Sequence, residues 1–252
     1  MSYGMYLAAE GAKAQSLRLD VIANNLANVD TVGFKPESTA FQARFAEAIQ
    51  LGMVPPNMRG LNDVGGGVKA IETLTNFSAG KLEQTGNAGD LAIVGEGFFQ
   101  VGDPDGGAPL LTRAGSVAVD ALNQLVVAGT NQPVLSAEGS PIVLEEGLPW
   151  TVTADGYVEQ AGELTPLAVV TPVSLDQLTK SGANQFRAGG EVQPVAPEAR
   201  EVRQGYLEMS GANSTQQMMQ MIETTRAFEA NTQMIRHQDQ ATGNLISRVL
   251  GG

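Results

Sequence analysis

The sequence predicts an α+β protein in which helices at the two ends of the chain form one module and a mainly antiparallel β domain lies between them. Three observations lead there. Apolar residues recur at helical three- and four-residue steps only near the termini, short apolar runs broken by turn residues fill the middle, and the charge is confined to that middle. The chain has 252 residues with 15 Lys+Arg and 27 Asp+Glu, a formal net charge of −12. Residues 1–35 balance Lys13, Arg18 and Lys35 against Glu10, Asp20 and Asp30. Residues 214–252 balance Arg226, Arg236 and Arg248 against Glu223, Glu229 and Asp239. The whole excess therefore lies in residues 36–213, and between Arg113 and Lys180 only acidic residues occur: Asp120, Glu138, Glu145, Glu146, Asp155, Glu159, Glu163 and Asp176.

The first element is an N-terminal helix within residues 1–35. Ala8, Ala12, Gln15, Leu19, Ile22, Leu26 and Val29 follow the alternating steps of a coiled-coil seam. Asn24, Asn25 and Asn28 crowd its last turns, where an amide satisfies orphan carbonyls or enters the left-handed region, and Gly33 with Pro36 ends any continuation. Residues 36–75 form a connecting region. In it Phe41, Phe45 and Ile49 at four-residue spacing predict a short helix from Ser38 to Leu51, followed by a Pro- and Gly-rich loop from Met53 to Gly67.

Residues 76–205 read as the β domain. Its expected strands are Leu91–Val94, Phe98–Val101, Leu110–Thr112, Val117–Val119, Leu125–Val127, Ile142–Leu144 and Trp150–Thr153. Asp155-Gly156 ahead of Tyr157-Val158 is a strong hairpin signal. Turn residues recur at intervals suited to a sandwich or barrel-like fold. Residues 206–252 hold the second helix, from Thr215 to Leu250, about 54 Å long at 1.5 Å per residue. Ser214 with Gln217 reads as its capping box. Its seam runs Met218, Met221, Thr225, Phe228, Thr232, Ile235, Asp239, Thr242, Ile246 and Val249. So many polar seam positions imply that this helix gains its stability from several neighbours at once.

Composition excludes several functions. A chain this acidic could supply the basic surface that tracks a nucleic-acid backbone only through strong local segregation of charge, so no nucleic-acid partner is expected. The absence of cysteine removes disulfides, thiol catalysis and Cys-based metal sites. No run approaches the roughly 20 apolar residues of a membrane span, and no secretory signal precedes Lys13, so export is expected without a cleaved leader. The lone histidine, His237, has no partner for a metal or a triad. Asp103-Pro-Asp105-Gly106 begins like a calcium loop but lacks its remaining ligands. Gly65–Lys69 and Gly95-Glu96-Gly97 lack the spacing of phosphate or dinucleotide loops. No catalytic residue, cofactor or metal is expected.

Four ordered motifs carry a family resemblance. Val21-Ile-Ala-Asn-Asn-Leu-Ala-Asn-Val-Asp-Thr-Val-Gly-Phe-Lys35 resembles the N-terminal signature of the bacterial flagellar rod and hook family, the axial proteins of the basal body. Leu82-Glu-Gln-Thr-Gly-Asn87 with Asp90–Val101, then Thr112-Arg-Ala-Gly-Ser116, resemble the β domain of the rod proteins. Gln204–Asn213 with Met221–Asn231 resembles the C-terminal region. The resemblance is weakest from Gly129 to Arg200. The length and the short connection are similar to a rod protein rather than the hook protein. Gly139–Gly147 and Thr151–Gly156 are more similar to the proximal-rod subunit, whereas Leu82–Val101 fits the distal-rod subunit equally well.

The resemblance implies a structural, non-enzymatic subunit that self-associates through its terminal helices into a helical drive shaft, carrying torque from motor to hook. It also implies export through the flagellum's type III apparatus, and as partners the other rod subunits, the hook-side axial proteins and the surrounding ring. The implied assembly interface comprises Leu19, Ile22, Asn24, Asn25, Leu26, Asn28, Met218, Met221, Phe228, Ile235 and Ile246. A distal-rod or hook-type subunit is the alternative within the family. Outside it, the alternative is a cell-wall-acting glycosidase or carbohydrate-binding module on a coiled-coil stalk, drawing on the exposed carboxylates of the middle.

Overall fold

The computed structural model describes residues 3–43 and 68–250. Two helices, α1 (Tyr3–Ala27) and α2 (Ser214–Leu250), bracket a series of antiparallel strands. The chain divides into two units. The helical unit takes in Met1–Ala27, Glu37–Asn76 and Asn213–Gly252, and the β unit Asn28–Pro36 and Phe77–Ala212.

In the helical unit α1 packs along α2 and against a two-stranded sheet of β1 (Glu37–Ala43) and β2 (Val68–Thr75), whose register shifts by a bulge between Ala40 and Phe41. The short helix expected from Ser38 is thus a strand over its described part; residues 44–51, and the loop expected at 53–67, lie outside the described residues. The reason is pairing. A helix of under fifteen residues is marginal alone, whereas β2, half of whose residues are β-branched, offers Ser38–Ala43 a ladder interrupted only by that bulge. The cap of α2 also differs from expectation. Asn213, not Ser214, is its N-cap: its Oδ1 accepts from the Gln216 N–H at 3.1 Å and its carbonyl from the Gln217 N–H at 2.9 Å.

In the β unit the largest sheet comprises β5 (Phe98–Val101), β6 (Leu110–Thr112), β12 (Val169–Pro172), β13 (Leu178–Lys180), β14 (Gln185–Ala188) and β15 (Val192–Pro194), in the order β13-β14-β6-β5-β12-β15. A three-stranded sheet, β11-β10-β9, contains β9 (Thr151–Val152), β10 (Tyr157–Gln160) and β11 (Glu163–Pro166); the expected Asp155-Gly156 turn joins its first two strands. Three strand pairs complete the unit. β3 (Leu82–Gln84) pairs with β17 (Tyr206–Glu208), β4 (Leu91–Ile93) with β16 (Val202–Gln204), and β7 (Val117–Val119) with β8 (Leu125–Val127). Ile142–Leu144, expected as a strand, makes only an isolated bridge from Val143 to Gln124, although Ile142 and Leu144 are buried.

Two apolar clusters hold the unit. The larger runs from Leu91 to Val202, with Val101, Leu125 and Leu167 sealed from solvent. The smaller centres on Phe98 and Phe186, which with Phe77 make edge-to-face contacts at centroid distances of 5.2–6.0 Å.

Candidate assembly surface and the seat of the N-terminal signature

The facing residues of α1 and α2 follow one antiparallel register. Gly4 lies against the Gln238 side chain, Gly11 against Asn231, and Asn25 Nδ2 is 3.5 Å from Gln217 Oε1. Each step of seven along α1 is a step of seven back along α2, as a heptad seam requires. A Cβ at either glycine would press on the opposing side-chain amide; at Gly11 it would lie 3.1 Å from Asn231 Oδ1. The inward face of α2 thus reads Gln217, Met221, Thr224, Phe228, Asn231, Ile235 and Gln238. Met221, Phe228 and Ile235 are the half-buried residues that the sequence seam named. Its alternate positions are shifted by one residue: Gln217 and Thr224 are buried where Met218 and Thr225 were expected. At the first of these positions the partner is polar: Asn25 Nδ2 lies 3.5 Å from Gln217 Oε1.

The displaced apolar residues point outward. Met218, Met219, Ile222 and Met234 are more than half exposed, as are Ile246 and, where the inward rows run on past the end of α1, Leu245 and Val249. With Gly4 opposite Gln238 and α1 beginning at Tyr3, the last eleven residues of α2, about 16 Å of helix, find no α1 residue opposite them among the described ones. On α1, Ile22 is buried, Leu19 and Leu26 are half-buried, and Asn24 is exposed.

Asn25, expected in a seam with neighbouring subunits, is buried within its own chain. Its Nδ2 donates to the Glu37 carbonyl at 2.7 Å and its Oδ1 accepts from the Glu37 N–H at 2.9 Å. One side-chain amide thereby replaces a strand partner and ties the end of α1 to the start of β1. Asn28 sits beyond the helix, where its carbonyl accepts from the Thr31 N–H at 3.2 Å and its Oδ1 from the Thr31 hydroxyl at 3.1 Å.

Between these ties, residues 28–36 belong to the β unit rather than to the N-terminal helix as expected. Gly33, at φ +66°, donates its N–H to the Glu208 carbonyl at 2.6 Å, and a Cβ there would lie 2.5 Å from the Arg113 backbone. The Phe34 carbonyl accepts from the Gly211 N–H at 3.0 Å, the Val32 carbonyl from Asn184 Nδ2 at 2.6 Å, and the Lys35 carbonyl from Lys180 Nζ at 3.1 Å. Lys180 also stands over the Phe34 ring.

Lys35 is almost wholly buried, 1% exposed, with Nζ 2.6 Å from Glu208 Oε1 and 2.8 Å from the Ser78 carbonyl. Glu208 Oε1 also accepts from the Gly80 N–H at 2.8 Å, and its Oε2 from Arg113 at 3.1 Å. Burial pushes both Lys35 and Arg113 below their ordinary values, and Glu208 offsets that only in part.

All four family motifs meet here. The N-terminal signature supplies Lys35, Thr112–Ser116 supplies Arg113, Gln204–Asn213 supplies Glu208, and Leu82–Gln84 pairs with the strand that carries Glu208. Sequence reasoning missed the cluster, since nothing at one position along the chain pairs Lys35 with a glutamate 173 residues away.

The chemical candidates weighed in the sequence are accounted for locally. Asp103 accepts from the Asp105 N–H at 3.0 Å and from Arg187 at 2.7 Å, which together hold its carboxyl below the usual carboxylate range. Asp103-Pro-Asp105-Gly106 is a turn pinned by an ion pair. His237 is exposed on α2, and Glu138, Glu145, Glu146, Asp155, Glu159 and Glu163 lie on the surface. Among the described residues no helix is long and apolar enough to cross a membrane.

Comparison with known proteins agrees with the motifs. The family described as "Flagella basal body rod protein" matches residues 5–35, "Flagellar hook protein FlgE/F/G D1 domain" matches 92–160, and "Flagellar basal body rod FlgEFG protein C-terminal" matches 203–248. The first match ends on Lys35. The flagellar basal-body rod protein FlgG of Borreliella burgdorferi is 31% identical, over 96% of this chain and 97% of its own length. That of Bacillus subtilis is 30% identical over 98% and 99%. The flagellar basal-body rod protein FlgF of Rhizobium meliloti is 32% identical over 100% and 99%.

Proposed function

The chain belongs to the flagellar basal-body rod protein family and is a structural rod subunit of the basal body, and from that premise we propose that it self-associates through its two terminal helices into the rod's inner wall. The observation that supports this is the inverted polarity of α2. Its intrachain face is polar at every second heptad position, while its outward face and unaccompanied end expose Met218, Ile222, Leu245, Ile246 and Val249. Copies related by a screw axis would bury that stripe through a heterologous contact repeated along the shaft. The acidic β unit then faces outward, where like charges are hydrated rather than packed against one another.

Within the family we assign the chain to the proximal rod, on the resemblance carried by Gly139–Gly147 and Thr151–Gly156. Its partners in this reading are other rod subunits and hook-side axial proteins, the export apparatus that delivers it, and the ring around the shaft. It performs no catalysis; the surface carboxylates serve solvation. A chain ending at Gln238 tests the reading, because it keeps every α1–α2 pair described above. It should retain the helix content of the remaining residues, yet fail to restore motility or enter basal bodies in a strain lacking the full gene. Normal incorporation would overturn the proposal.

A further inference from the structure

The apolar clusters of the β unit are complete without residues 28–36. Every member of both comes from Phe77 onward. The segment is held mainly by polar contacts, the Gly33, Phe34 and Val32 backbone bonds and the burial of Lys35 against Glu208, together with the buried Phe34 ring under Lys180. That seat carries a surplus of charge. Two cations, Lys35 and Arg113, share one carboxylate at 2.6 and 3.1 Å, so a net positive charge is held out of water, where desolvation opposes it. The neck of the segment is closed independently, by the Asn25 amide on both backbone groups of Glu37. A loop with a closed neck, a mainly polar seat, one buried ring at Phe34 and no member in either apolar cluster has the properties of a local opening unit.

We propose that residues 28–36 are a strap which Glu208 latches to the β unit through Lys35 and Arg113, and which opens as one piece while the β core stays folded. Seated, the strap fixes the point at which the chain enters and leaves the β unit between α1 and β1. Released, it leaves a nine-residue free connection between α1 and β1. Glu208 is the latch because both of its oxygens are committed: Oε1 to Lys35 and the Gly80 N–H, Oε2 to Arg113. Lys35 is the lesser anchor, since its removal leaves Glu208 still neutralised by Arg113. The inference concerns the chain's own folding and stands apart from the assembly reading.

The test is amide hydrogen exchange on the full chain, following Gly33 and Gly211, whose N–H groups bond across the strap, against the core strands 91–93, 98–101 and 125–127. Glu208→Gln leaves two buried cations without a counter-charge. It should lower protection at Gly33 and Gly211 by about 100-fold or more, the scale on which a broken buried ion pair acts, while the core strands change less than about threefold. Lys35→Met should cost less than about tenfold at the same two amides. If Glu208→Gln proves unfolded, the core depends on the latch and the strap is not a separate unit. Unchanged protection at Gly33 in Glu208→Gln, or a larger loss in Lys35→Met than in Glu208→Gln, overturns the proposal equally.

Discussion

Replacing Ile246 by aspartate separates folding from assembly. Ile246 is 53% exposed in the single chain, so about half of its side chain remains to be covered. Full burial of such a side chain is worth about 1.5–3 kcal/mol, which leaves roughly 1 kcal/mol to be gained from a neighbouring subunit. Aspartate forfeits that gain and places a carboxylate in an apolar contact. No residue three or four positions away, Thr242, Gly243, Val249 or Leu250, carries a charge to pair with it. An unpaired charge buried this way costs several kcal/mol, so the total is at least about 4 kcal/mol per contact, or about a thousandfold in the association constant.

The single chain loses nothing comparable, because a surface substitution away from packing stays within about 0.5 kcal/mol. The assay is the concentration at which the purified protein begins to sediment as polymer, measured beside a thermal melt of the dilute chain. Ser247→Asp, the same charge one position along and off the stripe, is the control, with an expected effect under about tenfold. An Ile246→Asp chain that melts like its parent and polymerises at the parent's concentration would refute the assignment of the outward stripe to assembly.

Three further outcomes follow from the strap and its neck. Gly33→Ala adds a Cβ at φ +66° and 2.5 Å from the Arg113 backbone, so strain and clash together should cost about 2–3 kcal/mol; a differential-scanning melt of the β unit's transition checks it. Asn25→Asp keeps the acceptor for the Glu37 N–H but loses the donor to the Glu37 carbonyl and buries a charge. A loss of about 2–4 kcal/mol is expected, read as earlier melting of helical ellipticity. The strap should also tighten as pH rises. Lys35 has a lower pKa seated than released, so the seated state binds fewer protons and its stability climbs through the window below the ordinary lysine value of 10.5, levelling above it. The charged groups around Lys35 are Glu208 and Arg113, with Glu96 acting on Arg113 and Lys180 over Phe34. Exchange at Gly33, corrected for the intrinsic rise in rate with pH, should therefore slow relative to the core strands. A ratio flat up to pH 10.5 would contradict it.

The architecture was legible because it rests on local signals. Turn chemistry such as Asp155-Gly156, and runs such as Leu91–Ile93 whose every side chain is buried, announce themselves within a few residues. Periodicity gave both helices for the same reason. The phase of the α2 seam was not legible, because a hydrophobic seam is normally inferred from apolar residues, and here the inward positions 217, 224, 231 and 238 are Gln, Thr, Asn and Gln. The clue that existed was on the other helix: Gly4 and Gly11, a heptad apart, mark where a second backbone comes close. Ser38–Ala43 misled because its strand partner begins at Val68, beyond the reach of any local window.

A seam with amides and a threonine at alternate positions, and apolar side chains left exposed on the same helix, has a consequence for the α1–α2 pair. An amide pair such as Asn25–Gln217 specifies register but contributes little net stability, since water competes for the same hydrogen bonds. The α1–α2 pair is thus aligned more strongly than it is held. The apolar share of the pair is limited to small buried residues such as Ala8, Ala12 and Ala14, to Val21 and Ile22, and to the half-buried Met221, Phe228 and Ile235. The β unit by contrast has two closed apolar clusters. The strap sits at the junction of those two regimes. Its seat is polar and over-charged rather than apolar, and a contact of that kind is strong in geometry, weak in net energy and therefore reversible.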